Sequence, residues 1–377
     1  MTFLAKPFSL LAVVCLLAGF VVAPPAVADD PGAAARERQW PLEVMGVPAA
    51  WELSRGEGVT VAVLDTGVDA RHPDLAGAVV EGPDLTGAGT THIAHHGTSM
   101  ASLIAGRGHG PGGDLGVVGV APRATVLSIR VTLETHDPAR ADPRVARQVR
   151  GAVARGIRWA VDHGADVVSM SLGGADGSYE GSPDEAAAVR HALSKGVVLV
   201  ASAGNDGAGA NRPTYPAAYP GVIAVGAVDQ RLGPAPFSNR RSYVSVTAPG
   251  TGIVSADARG SYVVGDGTSS AAAFVAGIAA LVKARHPGMG VSDVRRAILQ
   301  GAVWSNAGRR DDAYGHRVAN ARRALLVAGA PRRAAMATRP RQASVTGPAR
   351  STGSGPLIWS VLLLLVAALV ARLALRA

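Results

Sequence analysis

Cysteine is nearly missing from this chain of 377 residues, which contains only Cys15. A single cysteine cannot form an intrachain disulfide or build a multi-cysteine zinc or iron–sulfur site. Charged residues are also scarce, at 17%, whereas hydrophobic residues make up 48% of the sequence. This balance excludes a largely disordered chain, and the length suffices for one large folded domain with additional segments.

The positive charge is concentrated at the two ends of the chain. The net charge is +9. Lys6, the five arginines of residues 330–355 and the two arginines after Ala371 account for eight of these charges, which leaves +1 for residues 29–329. A body so close to neutral has no basic groove for nucleic acid, and we predict no nucleic-acid partner.

The first 28 residues have the layout of a secretory signal peptide. Lys6 precedes the uncharged residues 7–28, which contain an apolar run at 8–23 and the small residues Ala26, Val27 and Ala28 at the expected cleavage site. We predict a signal peptide at residues 1–28, and an uncleaved signal anchor is the alternative. Cleavage after Ala28 would leave a mature chain without cysteine.

A second apolar run lies at the C-terminal end. Residues 357–371 are uncharged, and the apolar character resumes after Arg372 as far as Leu375. With Arg372 extended towards the headgroups, this length can cross the hydrocarbon core of a membrane. An amphipathic surface helix would need a polar face, which the segment lacks. We predict a transmembrane helix at residues 356–376 in a single-pass protein of the cell membrane, with the body extracytoplasmic and the C-terminus cytoplasmic.

Residues 327–355 connect the body to this predicted helix. They are rich in Pro, Arg, Ser, Thr and Gly and have no apolar periodicity, which is typical of a linker. The arginines of the segment would favour an anionic lipid surface, and a simple solvated tether is the alternative.

Short apolar runs alternate with helical segments through the body. Five runs predict strands buried on both faces of a parallel sheet: 59–64, 125–131, 166–170, 197–201 and 222–228. Four segments predict helices: 97–106, 144–163, 184–195 and 269–285. In the second helix, Val145, Val149, Val153, Ile157 and Val161 predict a core-facing stripe. The alternation predicts an α/β fold with helices on both sides of a mainly parallel sheet.

Three polar motifs interrupt this apolar pattern. Asp65 follows the first predicted strand, where α/β sheets place ligands. His96 opens a helix of small residues, and Ser269 begins the apolar helix at 269–285. An acid that orients, a histidine that transfers protons and a serine that attacks are the groups needed for acyl transfer. Each motif alone is a weak signal, but the order Asp, His, Ser along the chain matches one of the known orders of acid, base and nucleophile in a catalytic triad.

From about residue 46 to residue 324, the chain resembles the subtilisin-like serine proteases. The resemblance rests on VAVLDTGVDARHPDL (61–75), HGTSMASLIAG (96–106), GVAPRATVLSIRV (119–131), VVSMSLGG (167–174), VASAGND (200–206) and GTSSAAAFVAG (267–277). It implies a subtilisin-like three-layer α/β fold with a central parallel sheet, formed by a peptidase domain at residues 56–326. Residues 29–55 would then form an N-terminal extension.

The resemblance also assigns roles to individual residues. Asp65 would orient His96, His96 would act as general base, Ser269 would be the nucleophile, and Asn205 would donate to the oxyanion. The substrate groove would be lined by Ser171, Leu172, Gly173, Ser202, Ala203 and Gly204. The helix start at Ser269 and the glycine-flanked turn at Asn205 suit donors aimed at a developing oxyanion. The family usually has proline four residues after the serine, so Ala273 predicts slight loosening of that helix.

The order of segments resembles one branch of this family, the mycosins of type VII secretion systems. A short extension, a catalytic body, a linker and one C-terminal helix are shared features, and only 36 residues separate Ala28 from Asp65. The resemblance implies a membrane-anchored serine endopeptidase acting on protein or peptide substrates, with a type VII secretion complex as partner. The alternative is a scaffold that stabilises such a complex with little turnover.

Two further segments of the sequence have some features of binding sites. His92, His95 and His96 lie together, but no matching ligand group accompanies them, and we predict no metal. The glycine-rich residues 108–113 lack the strand, lysine and helix of a phosphate-binding loop and predict a surface loop. We therefore expect no cofactor.

Overall fold

The computed structural model of the protein describes residues 30–89, 94–173, 181–303 and 310–330. The chain divides into the units Met1–Ala330 and Pro331–Ala377, and every described residue belongs to the first. The predicted signal peptide and transmembrane helix, and the predicted linker beyond residue 330, lie outside the described residues. Within the described ranges, no helix is long and apolar enough to cross a membrane.

Strands and helices alternate through most of the described unit. The strands are β1 Thr60–Asp65, β2 Val79–Asp84, β3 Arg107–His109, β4 Leu115–Val118, β5 Thr125–Arg130, β6 Val167–Met170, β7 Val198–Ser202, β8 Ile223–Val228, β9 Val244–Pro249, β10 Ile253–Asp257 and β11 Ser261–Gly265. The α-helices are α1 Pro31–Glu37, α2 Trp40–Val44, α3 Val47–Ala50, α4 His95–Ala105, α5 Pro143–Asp162, α6 Pro183–Ser194, α7 Thr268–Arg285, α8 Val291–Gly301 and α9 Ala321–Gly329. Helix α9 includes the first residues of the predicted linker, so the folded body extends a few residues further than expected.

A sheet of seven strands lies at the centre, in the order β2-β5-β1-β6-β7-β8-β9. Every neighbouring pair in it is parallel. The five strands predicted from apolar runs are β1, β5, β6, β7 and β8, each within about one residue of its expected bounds. The expected α/β fold with a central parallel sheet is therefore confirmed.

Helices cover both faces of this sheet. Along β1, Val61 and Val63 join the apolar cluster that contains α4 and α7, whereas Ala62 and Leu64 join the cluster that contains α5 and α6. This alternation follows from the pleat, because successive side chains of a strand point to opposite faces. The arrangement gives three layers with an apolar core on each side of the sheet.

Helix α5 shows where the expected core stripe was incomplete. Val145, Val153 and Ile157 are buried, but Val149 and Val161 are only partly buried. A four-residue step exceeds the 3.6 residues of a helical turn, so such a stripe drifts around the helix. Small side chains complete the buried face, among them Ala152 and Ala160.

The N-terminal extension is built into the body by hydrogen bonds to backbone carbonyls. The Arg36 guanidinium donates to the carbonyl oxygens of Gly113, Leu115 and Gly116 at 2.7–2.9 Å. The Gln39 amide exchanges two hydrogen bonds with the backbone of Val118. The glycine-rich stretch predicted as a surface loop forms the end of β3 and the exposed turn that leads to β4, and the extension packs beside this hairpin.

Candidate active site

Asp65 is the last residue of β1, and its carboxylate faces the layer of α4 and α7. It continues the alternation of Val61 and Val63, which places its side chain on that face. The side chain is fully buried, and Oδ1 accepts a hydrogen bond of 2.7 Å from the Thr66 backbone N–H. A buried carboxylate needs such partners, because an unpaired charge in the interior is costly.

His96 is the second residue of α4 and is the main partner of this carboxylate. Its Nδ1 lies 2.7 Å from Asp65 Oδ1. Because a carboxylate only accepts, Nδ1 carries the proton and Nε2 is left as the basic nitrogen. The His96 side chain is 37% exposed, so the ring is accessible from solvent while its partner is buried.

Gly97 allows the start of α4 to approach the loop that follows β1. A Cβ atom at this position would lie only 1.9 Å from the carbonyl oxygen of Gly67. The Gly97 backbone N–H donates to Thr66 Oγ1 at 3.1 Å. The His-Gly sequence therefore brings the helix start close enough for His96 to reach Asp65.

The charge on His96 is influenced by two carboxylates. Burial alone would lower its pKa, but the negative charge and hydrogen bond of Asp65, together with the charge of Glu134, raise the pKa above its ordinary value. The Glu134 carboxylate also accepts a hydrogen bond of 3.0 Å from the His96 backbone N–H. Sequence reasoning missed Glu134, because it lies in a loop with no recognisable motif.

Ser269 is the second residue of α7 and is partly exposed, whereas its neighbours Thr268 and Ser270 are buried. Its carbonyl oxygen accepts a hydrogen bond of 3.0 Å from Ser171 Oγ. Helix α7 then continues without interruption through Ala273, which is fully buried.

The register of the sheet relates this serine to Asp65. Strands β1 and β6 are neighbours, with Val63 opposite Ser169. Two residues beyond this last pair are Asp65 and Ser171, which therefore lie at the same end of neighbouring strands. Ser269 is thus hydrogen-bonded to the segment that follows β6, the strand beside the one that ends at Asp65. The described residues form no hydrogen bond between His96 and Ser269.

Asn205 follows β7 and is bonded to the start of α7. Its Oδ1 accepts from the backbone N–H and the hydroxyl of Thr268, at 2.9 and 2.8 Å. These two donors fix the amide orientation, which directs Nδ2 away from Thr268. A Cβ atom built on Gly267 would lie 3.6 Å from Asn205 Nδ2 and 3.7 Å from the Ser269 backbone nitrogen. Two N–H donors therefore border the space beside Gly267, where they could stabilise a developing negative charge.

The six predicted groove residues lie at or just after the ends of β6 and β7, which are neighbouring strands. Leu172 and Gly173 are partly exposed, whereas the other four are buried: Ser171, Ser202, Ala203 and Gly204. Ser202 Oγ donates to the Leu172 carbonyl at 2.9 Å, which ties the two segments together. The buried members therefore fix the backbone of these segments rather than presenting side chains.

The histidines considered as metal ligands are separated by their partners. The His95 ring Nδ1 lies 2.6 Å from Asp257 Oδ1, and the His96 ring bonds to Asp65. His92 lies outside the described residues. In the part of the chain that the structure describes, no three His, Cys, Asp or Glu side chains are arranged to hold a metal ion.

Comparison with known proteins places the chain in a family. Residues 56–325 match the Subtilase family. Thermitase of Thermoactinomyces vulgaris is 38% identical over 263 residues, which cover 69% of this chain and 87% of thermitase.

Solved structures agree with this assignment. MycP1 from Mycobacterium smegmatis superposes with a TM-score of 0.64 at 30% identity, covering 76% of this chain and 84% of that one. The MycP3 protease from the type VII (ESX-3) secretion system superposes with a TM-score of 0.63 at 30% identity, covering 79% of this chain and 90% of that one. The chain therefore belongs to the subtilase family and is a subtilisin-like serine endopeptidase that is similar to the mycosins.

Proposed function

We propose that the protein hydrolyses peptide bonds through a triad of Asp65, His96 and Ser269. The observation that carries the proposal is the 2.7 Å hydrogen bond between the buried Asp65 carboxylate and the accessible His96 ring. In the neutral ring this bond places the proton on Nδ1 and leaves Nε2 able to accept a proton, which is the state that a general base requires.

In the first half of the proposed reaction, His96 Nε2 takes the proton of the Ser269 hydroxyl while Ser269 Oγ attacks the peptide carbonyl carbon. The carbonyl oxygen becomes an oxyanion and accepts hydrogen bonds from Asn205 Nδ2 and the Ser269 backbone N–H, in the space beside Gly267. Collapse of this intermediate breaks the C–N bond, and His96 returns the proton to the leaving amine. The product is an acyl-enzyme on Ser269.

In the second half, water replaces the amine. His96 Nε2 accepts a proton from the water as its oxygen attacks the acyl carbon, and the same oxyanion site stabilises the second intermediate. The proton then passes to Ser269 Oγ, which leaves as the carboxylic acid product is released. Asp65 holds the His96 ring in place and stabilises the imidazolium that forms in each half.

A fluorophosphonate probe tests the nucleophile directly. The purified full-length chain should be labelled, Ser269→Ala should not be labelled, and Ser270→Ala should be labelled as the wild type is. Ser270 is the matched control, since it is the adjacent serine on the same helix. Labelling that persists in Ser269→Ala would exclude Ser269 as the nucleophile, and an unlabelled wild-type chain would favour the scaffold alternative.

We also propose that the protease is anchored in the cell membrane by residues 356–376, with its catalytic domain extracytoplasmic and its C-terminus cytoplasmic. Residues 1–28 would be the signal peptide that exports it. The apolar run at 357–371 supports the anchor, and similarity to a protease from a type VII secretion system supports a secretion complex as partner.

Deletion of residues 356–377 tests the anchor. The truncated protein should appear in the culture medium, while the full chain stays in the membrane fraction. Protease added to intact cells should degrade the body of the full chain and spare a C-terminal tag. Recovery of the truncated protein in the membrane fraction would contradict the proposed C-terminal anchor.

A further inference from the structure

Helix α4 begins without a capping side chain of its own. Its N-cap residue is Ala94, whereas α5, α6 and α9 are capped by the local side chains of Asp142, Ser182 and Asn320. The first N–H groups of a helix have no partner within the helix and need an external acceptor. For α4, Glu134 accepts from the His96 backbone N–H from 38 residues away in sequence, and Thr66 Oγ1 accepts from the Gly97 N–H.

Glu134 is itself held in place by its neighbours. The Arg140 guanidinium donates to the carbonyl oxygens of Leu133 and Glu134 at 2.5 and 2.7 Å. Before this loop, the buried Arg130 donates to the carboxylates of Asp84 and Asp137 at 2.8 and 3.4 Å. Both ends of the loop are therefore anchored, and the Glu134 side chain is held against the start of α4.

In the described part of the chain, the Glu134 carboxylate is not neutralised by a neighbouring cation. Arg140 bonds to backbone carbonyls, and in the described part of the chain no cation forms an ion pair with Glu134. An anion at the N-terminus of a helix is stabilised by the helix dipole, which also favours this placement.

Other charged groups lie on elements that pack against α4, and most are occupied with partners of their own. These pairs are His95 with Asp257, His72 and His109 with Asp74, and Arg130 with Asp84 and Asp137. Arg259 also lies on such an element, and its backbone N–H bonds to Asp69. The carboxylates that act on the His96 ring are Asp65 from β1 and Glu134 from the loop after β5.

We propose that Glu134 is a positioning residue for His96, which fixes the helix turn that carries the base and places a second negative charge beside its ring. The charge favours the imidazolium form, which exists only after His96 has taken a proton. Glu134 thereby acts through His96 and does not contact the substrate. This inference rests on the proposed role of His96 as general base.

Two substitutions separate the hydrogen bond from the charge. Glu134→Gln keeps an oxygen acceptor for the His96 N–H but removes the charge, and Glu134→Ala removes both. In the full-length chain, the acid limb of the pH profile of kcat/KM should move to lower pH in both variants. Glu134→Ala should also lose about 10-fold in kcat, comparable to the loss of one helix cap, with KM changed by less than about twofold.

Ser182→Ala is the matched control, because it removes a helix cap that lies away from His96. Its acid limb should coincide with that of the wild type. An unchanged acid limb in Glu134→Gln would overturn the proposal, and so would an equal shift in Ser182→Ala.

A titration that needs no activity distinguishes this proposal from the proposed reaction. With histidine selectively labelled in the Ser269→Ala chain, the His96 ring signal can be assigned by its loss in His96→Gln and followed by NMR against pH. Adding Glu134→Gln should lower the pKa of His96. A pKa unchanged by Glu134→Gln would overturn the inference, even if Ser269 proved not to be the nucleophile.

Discussion

Two pairs of helices, one on each face of the sheet, begin in different ways. On one face, α5 and α6 start at Asp142 and Ser182, whose own side chains accept from backbone N–H groups two or three residues later. On the other face, α4 and α7 start at Ala94 and Gly267, which have no capping side chain.

Distant residues complete the starts of the second pair. Glu134 bonds to the beginning of α4, and Asn205 bonds to the beginning of α7. Helices α5 and α6 are thus capped by residues next to them in sequence. The helices that carry the proposed base and nucleophile are instead capped by residues distant in sequence.

The largest expected effect comes from filling the space at the start of α7. Gly267→Ala would place a methyl group in van der Waals contact with Asn205 Nδ2 and the Ser269 backbone N–H, where the oxyanion is proposed to form. The Gly267 φ angle of 164° is extended backbone that alanine also adopts, so the fold should tolerate the change. Because the methyl group would obstruct both donors, we expect kcat to fall by about 10³-fold or more, with an unchanged Tm. Retained turnover would remove this space from the proposed mechanism.

Asn205→Ala should damage both functions of one side chain. The loss of a single oxyanion donor costs about 10²–10³ in kcat, a range taken from a subtilisin asparagine of the same proposed role. Because Thr268 also loses its acceptor, this variant should have a lower Tm than Gly267→Ala. Turnover and melting measured on the same preparations would show whether the two effects separate. A lower Tm with normal kcat per folded molecule would make Asn205 a structural residue only.

A smaller effect is expected when α6, a locally capped helix, loses its cap. Ser182→Ala removes the acceptor for the Glu185 N–H and should lower the free energy of unfolding by about 1 kcal/mol. Its kcat and KM should remain those of the wild type, since α6 lies on the face opposite α4 and α7. Denaturant unfolding and steady-state kinetics together test this contrast, and a large loss of kcat would show that the two faces are not independent.

The smallest expected effect is a pH-dependent difference in stability. Because the folded-state pKa of His96 is raised above its ordinary value of 6.5, its protonated form stabilises the fold. That contribution is fully present below about pH 6.5 and is lost as the pH rises through the folded-state value. The wild type should therefore lose stability relative to His96→Gln over this interval, as measured by urea unfolding. If the stability of the wild type relative to His96→Gln instead increased with rising pH, the raised pKa of His96 would be contradicted.

The sequence predicted those parts of the molecule that depend on local pattern. The strand ending at Asp65 was found because β-branched runs and their polar ends are adjacent in the chain. Helix α4 was expected to start at Gly97 but starts at His95, because its cap comes from Glu134 and not from a neighbouring residue. The N-terminal helices were not predicted, although α1 begins with a local signal, the Asp30 cap followed by Pro31. They are short, and Arg36 holds them to the body through carbonyl oxygens 77–80 residues away, which leave no sequence signal.

One consequence concerns the backbone amide of Ala273. Where the family usually has proline, alanine retains an N–H that in an α-helix donates to the carbonyl four residues earlier, which here is that of Ser269. The same carbonyl also accepts from Ser171 Oγ, so it is held from both the helix and the sheet. Exchange of this one amide proton with deuterated solvent therefore requires the turn carrying Ser269 to open, and its rate would report how often the nucleophile leaves its position.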